Sequence, residues 1–125
     1  MKNREIYESA LRFLAESTAA GDNQDYEERA SYLLAAFCTE MSELDRYLQG
    51  SSAQAPIEAA SLPLTAEFPL SSRLSSAASL YLAAMLILES DEERSDKLYA
   101  QYLEAISRIA NHVPATILPI TDKYF

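Results

Sequence analysis

Cysteine, glycine, histidine and basic residues are all scarce in this chain, and each scarcity removes a class of protein. A single cysteine, Cys38, in 125 residues excludes an internal disulfide and a cysteine-built metal site. Two glycines are too few for the turns of a β-rich fold, and too isolated for a glycine-rich phosphate loop. One histidine, His112, leaves no second imidazole for a metal cluster on a helix. Ten Lys and Arg stand singly against nineteen Asp and Glu, for a net charge of −9. Such a surface repels nucleic acid and anionic lipid, because no basic patch outweighs it. The most apolar stretch, Ala77 to Leu88, falls well short of the roughly 20 residues of a membrane span. The start, Met1-Lys2-Asn3-Arg4, turns amphipathic at once instead of continuing into a signal peptide's apolar run. These features lead us to expect a soluble intracellular protein.

What is present is helical periodicity. About half the residues are hydrophobic, enough for a core in one domain of this length. A first helix is expected over 4–19, with Asn3 as N-cap, Gly21 as stop, and Ile6, Tyr7, Ala10, Leu11, Phe13 and Leu14 apolar. A second runs over 25–49, opened by Asp25 and Glu28 as a capping-box-like pair. Its stripe is Tyr26, Ala30, Leu33, Phe37, Met41, Leu44 and Leu48, widened by Leu34, Cys38 and Tyr47, and Gly50 ends it. A third, 71–89, capped by Ser71 or Ser72, is apolar almost all round through Leu74, Ala77, Ala78, Tyr81, Leu82, Met85, Leu86 and Leu88. Such a helix is buried by neighbours on several sides. The fourth, 91–111, opens with a Ser90–Glu93 capping box and buries Leu98, Tyr99, Tyr102, Leu103, Ile106 and Ile109. Its short connection to the third predicts an antiparallel hairpin. The fold class is therefore all-α, a four-helix antiparallel bundle-like domain.

Two segments break the pattern. Residues 51–69 carry Pro56, Pro63 and Pro69, with room for a short helical turn near Ile57–Ala60. Leu62, Leu64, Phe68 and Leu70 are too apolar for a free linker, so the second half should lie on the helices. Residues 113–125 carry Pro114 and Pro119 among Ile117, Leu118 and Ile120, a pattern for extended chain. A terminus this apolar should dock against something.

Chemistry has little to work with. His112, at the end of helix four, suits a favourable contact with the helix dipole. Glu40, Glu43 and Asp45, and again Asp91, Glu92, Glu93 and Asp96, cluster on faces that read as polar and solvated, not as carboxylates tuned by burial. The serines of 71–79 have no companion histidine, and Cys38, among Leu34, Phe37 and Met41, reads as a buried inert thiol. Neither catalytic residues, nor a cofactor, nor a metal is expected. The eight tyrosines suit core margins and protein interfaces. The candidates for protein contact are Tyr32, on the flank of helix two, Phe68 in the connection, and Ile117, Leu118, Ile120, Tyr124 and Phe125 in the tail.

Four segments in order carry a family likeness. They are Arg4-Glu5-Ile6-Tyr7-Glu8-Ser9-Ala10-Leu11, Asp25-Tyr26-Glu27-Glu28-Arg29-Ala30, Phe68-Pro69-Leu70-Ser71-Ser72 leading into Leu80-Tyr81-Leu82-Ala83-Ala84-Met85-Leu86, and Pro114 to Tyr124. The chain resembles small prophage proteins of Gram-positive bacteria encoded among virion structural genes. It is similar in style to the helical head–tail connector (adaptor or head-completion) proteins of tailed phages. The resemblance implies a non-catalytic subunit that assembles with itself in a ring and meets portal or tail proteins. It also implies a place in the bacterial cytoplasm during assembly and in the virion afterwards. DNA would pass through the assembled channel without specific binding, which an acidic wall suits. The 51–69 connection and the tail would clasp neighbours. The alternative is a small helical regulatory or adaptor protein that binds a partner helix near helix two.

Overall fold

The computed structural model describes residues 1–15, 24–49 and 59–111. Its four α-helices are α1 (Asn3–Phe13), α2 (Gln24–Gln49), α3 (Ser75–Ile87) and α4 (Glu92–Asn111), with a 3₁₀ turn, Ser72–Leu74, leading into α3. The fold is all-helical and bundle-like, and among the described residues the only β pairing is an isolated bridge between Lys2 and Glu67.

The middle of the bundle is α3. Ala77, Ala78, Leu82, Ala83 and Ala84 are wholly buried, and α1, α2 and α4 each pack against this helix. Its alanines explain the arrangement, since small side chains let three helix backbones approach one axis. Anchors fix the directions. The Ser95 hydroxyl of α4 donates to the Ala84 carbonyl at 2.8 Å, and the Ser79 hydroxyl of α3 donates to the Ile6 carbonyl of α1 at 3.2 Å. The Arg29 guanidinium of α2 donates to the Met85 carbonyl at 3.2 Å, while Asp45, four turns later, meets Ser71. Thus α2 and α4 both run opposite to α3.

The second half of the long connection docks as expected: Leu64, Phe68 and Leu70 are core residues and Leu62 packs against the core. Backbone pairing holds it beside the start of α1. The Asn3 and Arg4 amides donate to the Ala66 and Leu64 carbonyls, both at 2.9 Å, and the Phe68 amide donates to the Met1 carbonyl at 2.9 Å. The first two bonds take up N–H groups that the first turn of α1 would otherwise leave unpaired.

Four local expectations are corrected. Asn3 is not the N-cap of α1: Lys2 holds that position, and Asn3 is fully buried with its Nδ2 donating to the Pro63 carbonyl at 2.9 Å. The first helix stops at Phe13, not near residue 19, because Ala15 takes a left-handed φ of 59° and turns the chain off the helix. The expected stop at Gly21 and the end at Gly50 lie outside the described residues. Asp25 lies inside the first turn of α2, not ahead of it, where it pairs with Arg29 at 3.5 Å. In front of α4, Asp91 is the cap, its Oδ1 accepting from the Arg94 amide at 3.1 Å, while the Ser90 hydroxyl turns back to the Ile87 carbonyl at 3.3 Å. Ser71 does cap the 3₁₀ turn, its hydroxyl accepting from the Arg73 amide at 3.3 Å.

Candidate functional site

The faces that α2 and α4 bury differ from those the sequence suggests. On α2 the buried line is Ala30, Leu34, Cys38, Ser42 and Asp45, with Phe37 beside it. Leu33, Met41, Leu44 and Leu48 are only half-buried at its edge. On α4 the buried line is Ser95, Leu98, Tyr102 and Ala105, whereas Tyr99 is 39% and Leu103 51% exposed. Each helix is apolar over a wider arc than α3 can cover, and the centre of contact falls one residue round from the most apolar row.

An aromatic cluster marks where α2, α3 and α4 meet. The Phe37 ring lies 5.8 Å from Tyr81 and 6.1 Å from Tyr102. Tyr102 is 5.3 Å from both Tyr81 and Tyr99. The rings are tilted against one another, as aromatic quadrupoles prefer. Burial raises the phenol pKa values of Tyr81 and Tyr102 above the ordinary range, and the nearby Glu40 carboxylate adds to the effect. Tyr7, in the α1 core, is pushed up to about 12, first by burial and then by Glu27.

Asp45 corrects the reading of the acidic residues on α2 as wholly solvated. It is 6% exposed, and its Oδ1 accepts from the Ser71 amide at 2.7 Å while its Oδ2 accepts from the Gln49 side chain at 2.7 Å. It fastens the end of the connection to α2 and so fixes where the chain enters α3. Glu40 and Glu43 are exposed as expected. Cys38 is buried, as the sequence suggests; burial pushes its thiol up to about 12, and the Asp45 carboxylate contributes in the same direction.

Of the contact candidates, Tyr32 is 63% exposed on α2, beside a hollow of about 470 Å³ that Glu28, Ser31 and Ser61 also wall. Phe68, the contact candidate in the connection, is 9% exposed and part of the core. Its side chain anchors the connection, so a contact there would require the connection to lift away. Ile117, Leu118, Ile120, Tyr124 and Phe125 lie outside the described residues, as does His112. Tyr99 and Leu103, expected on the buried face of the fourth helix, are instead exposed. The signal was their spacing beside Leu98 and Tyr102, two apolar rows on one helix where α3 can cover only one.

A cleft of about 190 Å³ between α1 and the start of α3 is lined by Glu5, Ser9, Phe13, Ser75, Ser76 and Ser79, among others. It is smaller than the roughly 300 Å³ at which small-molecule sites begin. Among the described residues no group of three or more His, Cys, Asp or Glu could hold a metal ion, and no helix is long and apolar enough to cross a membrane. No family model matches the chain, and neither a curated protein nor a solved structure matches it.

Proposed function

We propose that the chain is a non-catalytic structural protein of a phage or prophage virion, a head–tail connector that docks on the portal. The observation that carries a role in protein contact is the apolar row on α4. Tyr99 and Leu103 stand exposed beside the aromatic cluster, on the helix whose end at Asn111 leads into the apolar segment 113–125. Exposed aromatic and aliphatic groups in a row suit a protein partner better than a small ligand. The choice of connectors among structural proteins rests on the sequence resemblance and on the acidic charge, which suits a channel that DNA traverses.

Genes for portal, capsid and tail proteins beside this one are the first expectation. Mixed with the neighbouring portal protein, the full chain should then add a ring that electron microscopy resolves. Deleting residues 113–125 should impair that assembly while circular dichroism still reports a folded helical domain. Unchanged assembly by the shortened chain would refute the tail's role, and unrelated gene neighbours would refute the connector reading.

The second reading, an adaptor for a partner helix, is favoured by the half-buried row Leu33, Met41, Leu44 and Leu48 on α2, whose spacing suits a helix laid alongside. Regulatory genes in the neighbourhood would favour it over the first.

A further inference from the structure

One exposed row of α4 is acidic at its start and apolar along its middle. Tyr99 and Leu103, one turn apart, are 39% and 51% exposed. Glu92 and Asp96, both exposed, stand in the same row, at the i−7 and i−3 positions of Tyr99. The cations of the helix are directed elsewhere. Arg94 reaches from the opposite flank to the Phe13 carbonyl of α1 at 3.0 Å, and Arg108 pairs with Glu104 at 3.6 Å. Lys97 lies about 160° round the helix axis from Tyr99. On the α2 side stands Glu40, exposed one turn after Phe37. Its carboxylate acts on the phenols of Tyr81 and Tyr102, and Tyr99 acts on the same two, with no cation among their neighbours. Glu40 and Tyr99 therefore border one patch. Among the described residues none of Glu40, Glu92 and Asp96 makes an ion pair.

We propose that this patch docks a basic amphipathic helix of a partner protein. Its apolar side chains would lie on Tyr99 and Leu103, and its Lys or Arg opposite Glu40, Asp96 and Glu92. The proposal rests on the reading of the α4 row as a protein contact and adds the partner's charge and shape; it does not need the connector identification. Two exposed residues one turn apart match side chains at i and i+4 of a helix laid along α4. Unpaired carboxylates around an apolar pair repel a second copy of a chain whose net charge is −9 and attract the opposite sign. The Tyr99 ring adds a surface on which a guanidinium or ammonium can stack. Because the carboxylates lie in solvent, they select the partner and steer its approach, while the apolar contact holds it.

The test titrates the full chain, labelled with nitrogen-15, with three peptides. The first is a helical peptide of Leu and Lys whose leucines follow i, i+3, i+4 spacing, the second its Leu–Glu counterpart, and the third the Leu–Lys composition in scrambled order. The ordered Leu–Lys peptide should shift the amides of Glu40, Tyr99 and Leu103 to saturation, and the other two should not. Leu103→Ala should weaken that binding about tenfold through lost apolar surface. Glu40→Gln combined with Asp96→Asn should weaken it about fivefold at low salt and little at high salt. Glu5→Gln, exposed on α1, should leave it unchanged. Equal binding of the scrambled peptide, or binding that ignores the paired Glu40 and Asp96 changes, would overturn the proposal. Equal shifts at Tyr99 and Leu103 from the Leu–Glu peptide would overturn the partner's charge and leave the protein-contact reading standing. Shifts there that grow with the concentration of the free chain would overturn it too, assigning the patch to a second copy. So would no response to the ordered Leu–Lys peptide; the contact reading itself falls only if Tyr99 and Leu103 also stay unshifted when the neighbouring portal protein is added.

Discussion

Replacing Asp45 by alanine isolates one buried carboxylate and the junction that it holds. The Ser71 amide would lose a bond of 2.7 Å to a charged acceptor, worth about 1.5–3 kcal/mol. Gln49 is half-buried, so its side chain can turn to water and adds little. A carboxylate near the C-terminal end of α2 opposes the helix dipole, and its removal returns about 0.3–1 kcal/mol. The hydrogen bond wins, and the expected net loss is about 2 kcal/mol. Urea unfolding followed by circular dichroism should show a lower midpoint at unchanged slope. Asp45→Asn keeps an acceptor oxygen without the charge and should cost about half as much. Glu43→Ala, exposed on the same helix, is the control and should stay within about 0.5 kcal/mol of the parent. Equal effects of Asp45→Ala and Glu43→Ala would refute the claim that Asp45 fastens the connection to α2.

The Cys38 thiol, buried and with its pKa pushed up to about 12, should react with a thiol reagent only as the chain unfolds; complete labelling within minutes under native conditions would contradict its burial. Tyr7, raised to about 12, together with Tyr81 and Tyr102, keeps its proton in the folded chain after an unfolded tyrosine, near 10, has lost it. Stability is then full below pH 10 and falls as pH rises towards 12, and Tyr7→Phe should flatten part of that fall in alkaline unfolding titrations. Ala15→Gly removes the steric penalty of a left-handed φ of 59° and should stabilise by about 0.5–1 kcal/mol, read as a higher melting temperature. A lower melting temperature would mean that the turn after α1 differs from the one described.

Some of this was legible in the residues alone. The helical periods of Ile6 to Leu14, Ala30 to Leu48, Leu74 to Leu86 and Leu98 to Ile109 place four helices, because apolar spacing is a local property of the chain. The all-round apolarity of Ala77 to Leu86 marks α3 as the central helix for the same reason. The docking of Leu62 to Leu70 followed from their composition. Caps were less legible: Asn3 and Asp91 both carry capping side chains, yet only Asp91 caps, because the Asn3 side chain turns into the core and donates to the Pro63 carbonyl, while the Glu5 amide is paired with the Lys2 carbonyl.

The sequence by itself therefore determined an acidic, all-helical chain with α3 at its centre. It could not decide which half of a wide apolar arc would be covered. Leu33 and Leu34, or Tyr102 and Leu103, are equals in composition, and only the axis of α3 chose between them. Nor could it tell buried Asp45 from exposed Glu43, since the difference is the Ser71 amide, 26 residues away in sequence and 2.7 Å away in space. What the tertiary structure added is the exposure of Tyr99 and Leu103 beside the aromatic cluster, which arises only once three helices have shared a fourth.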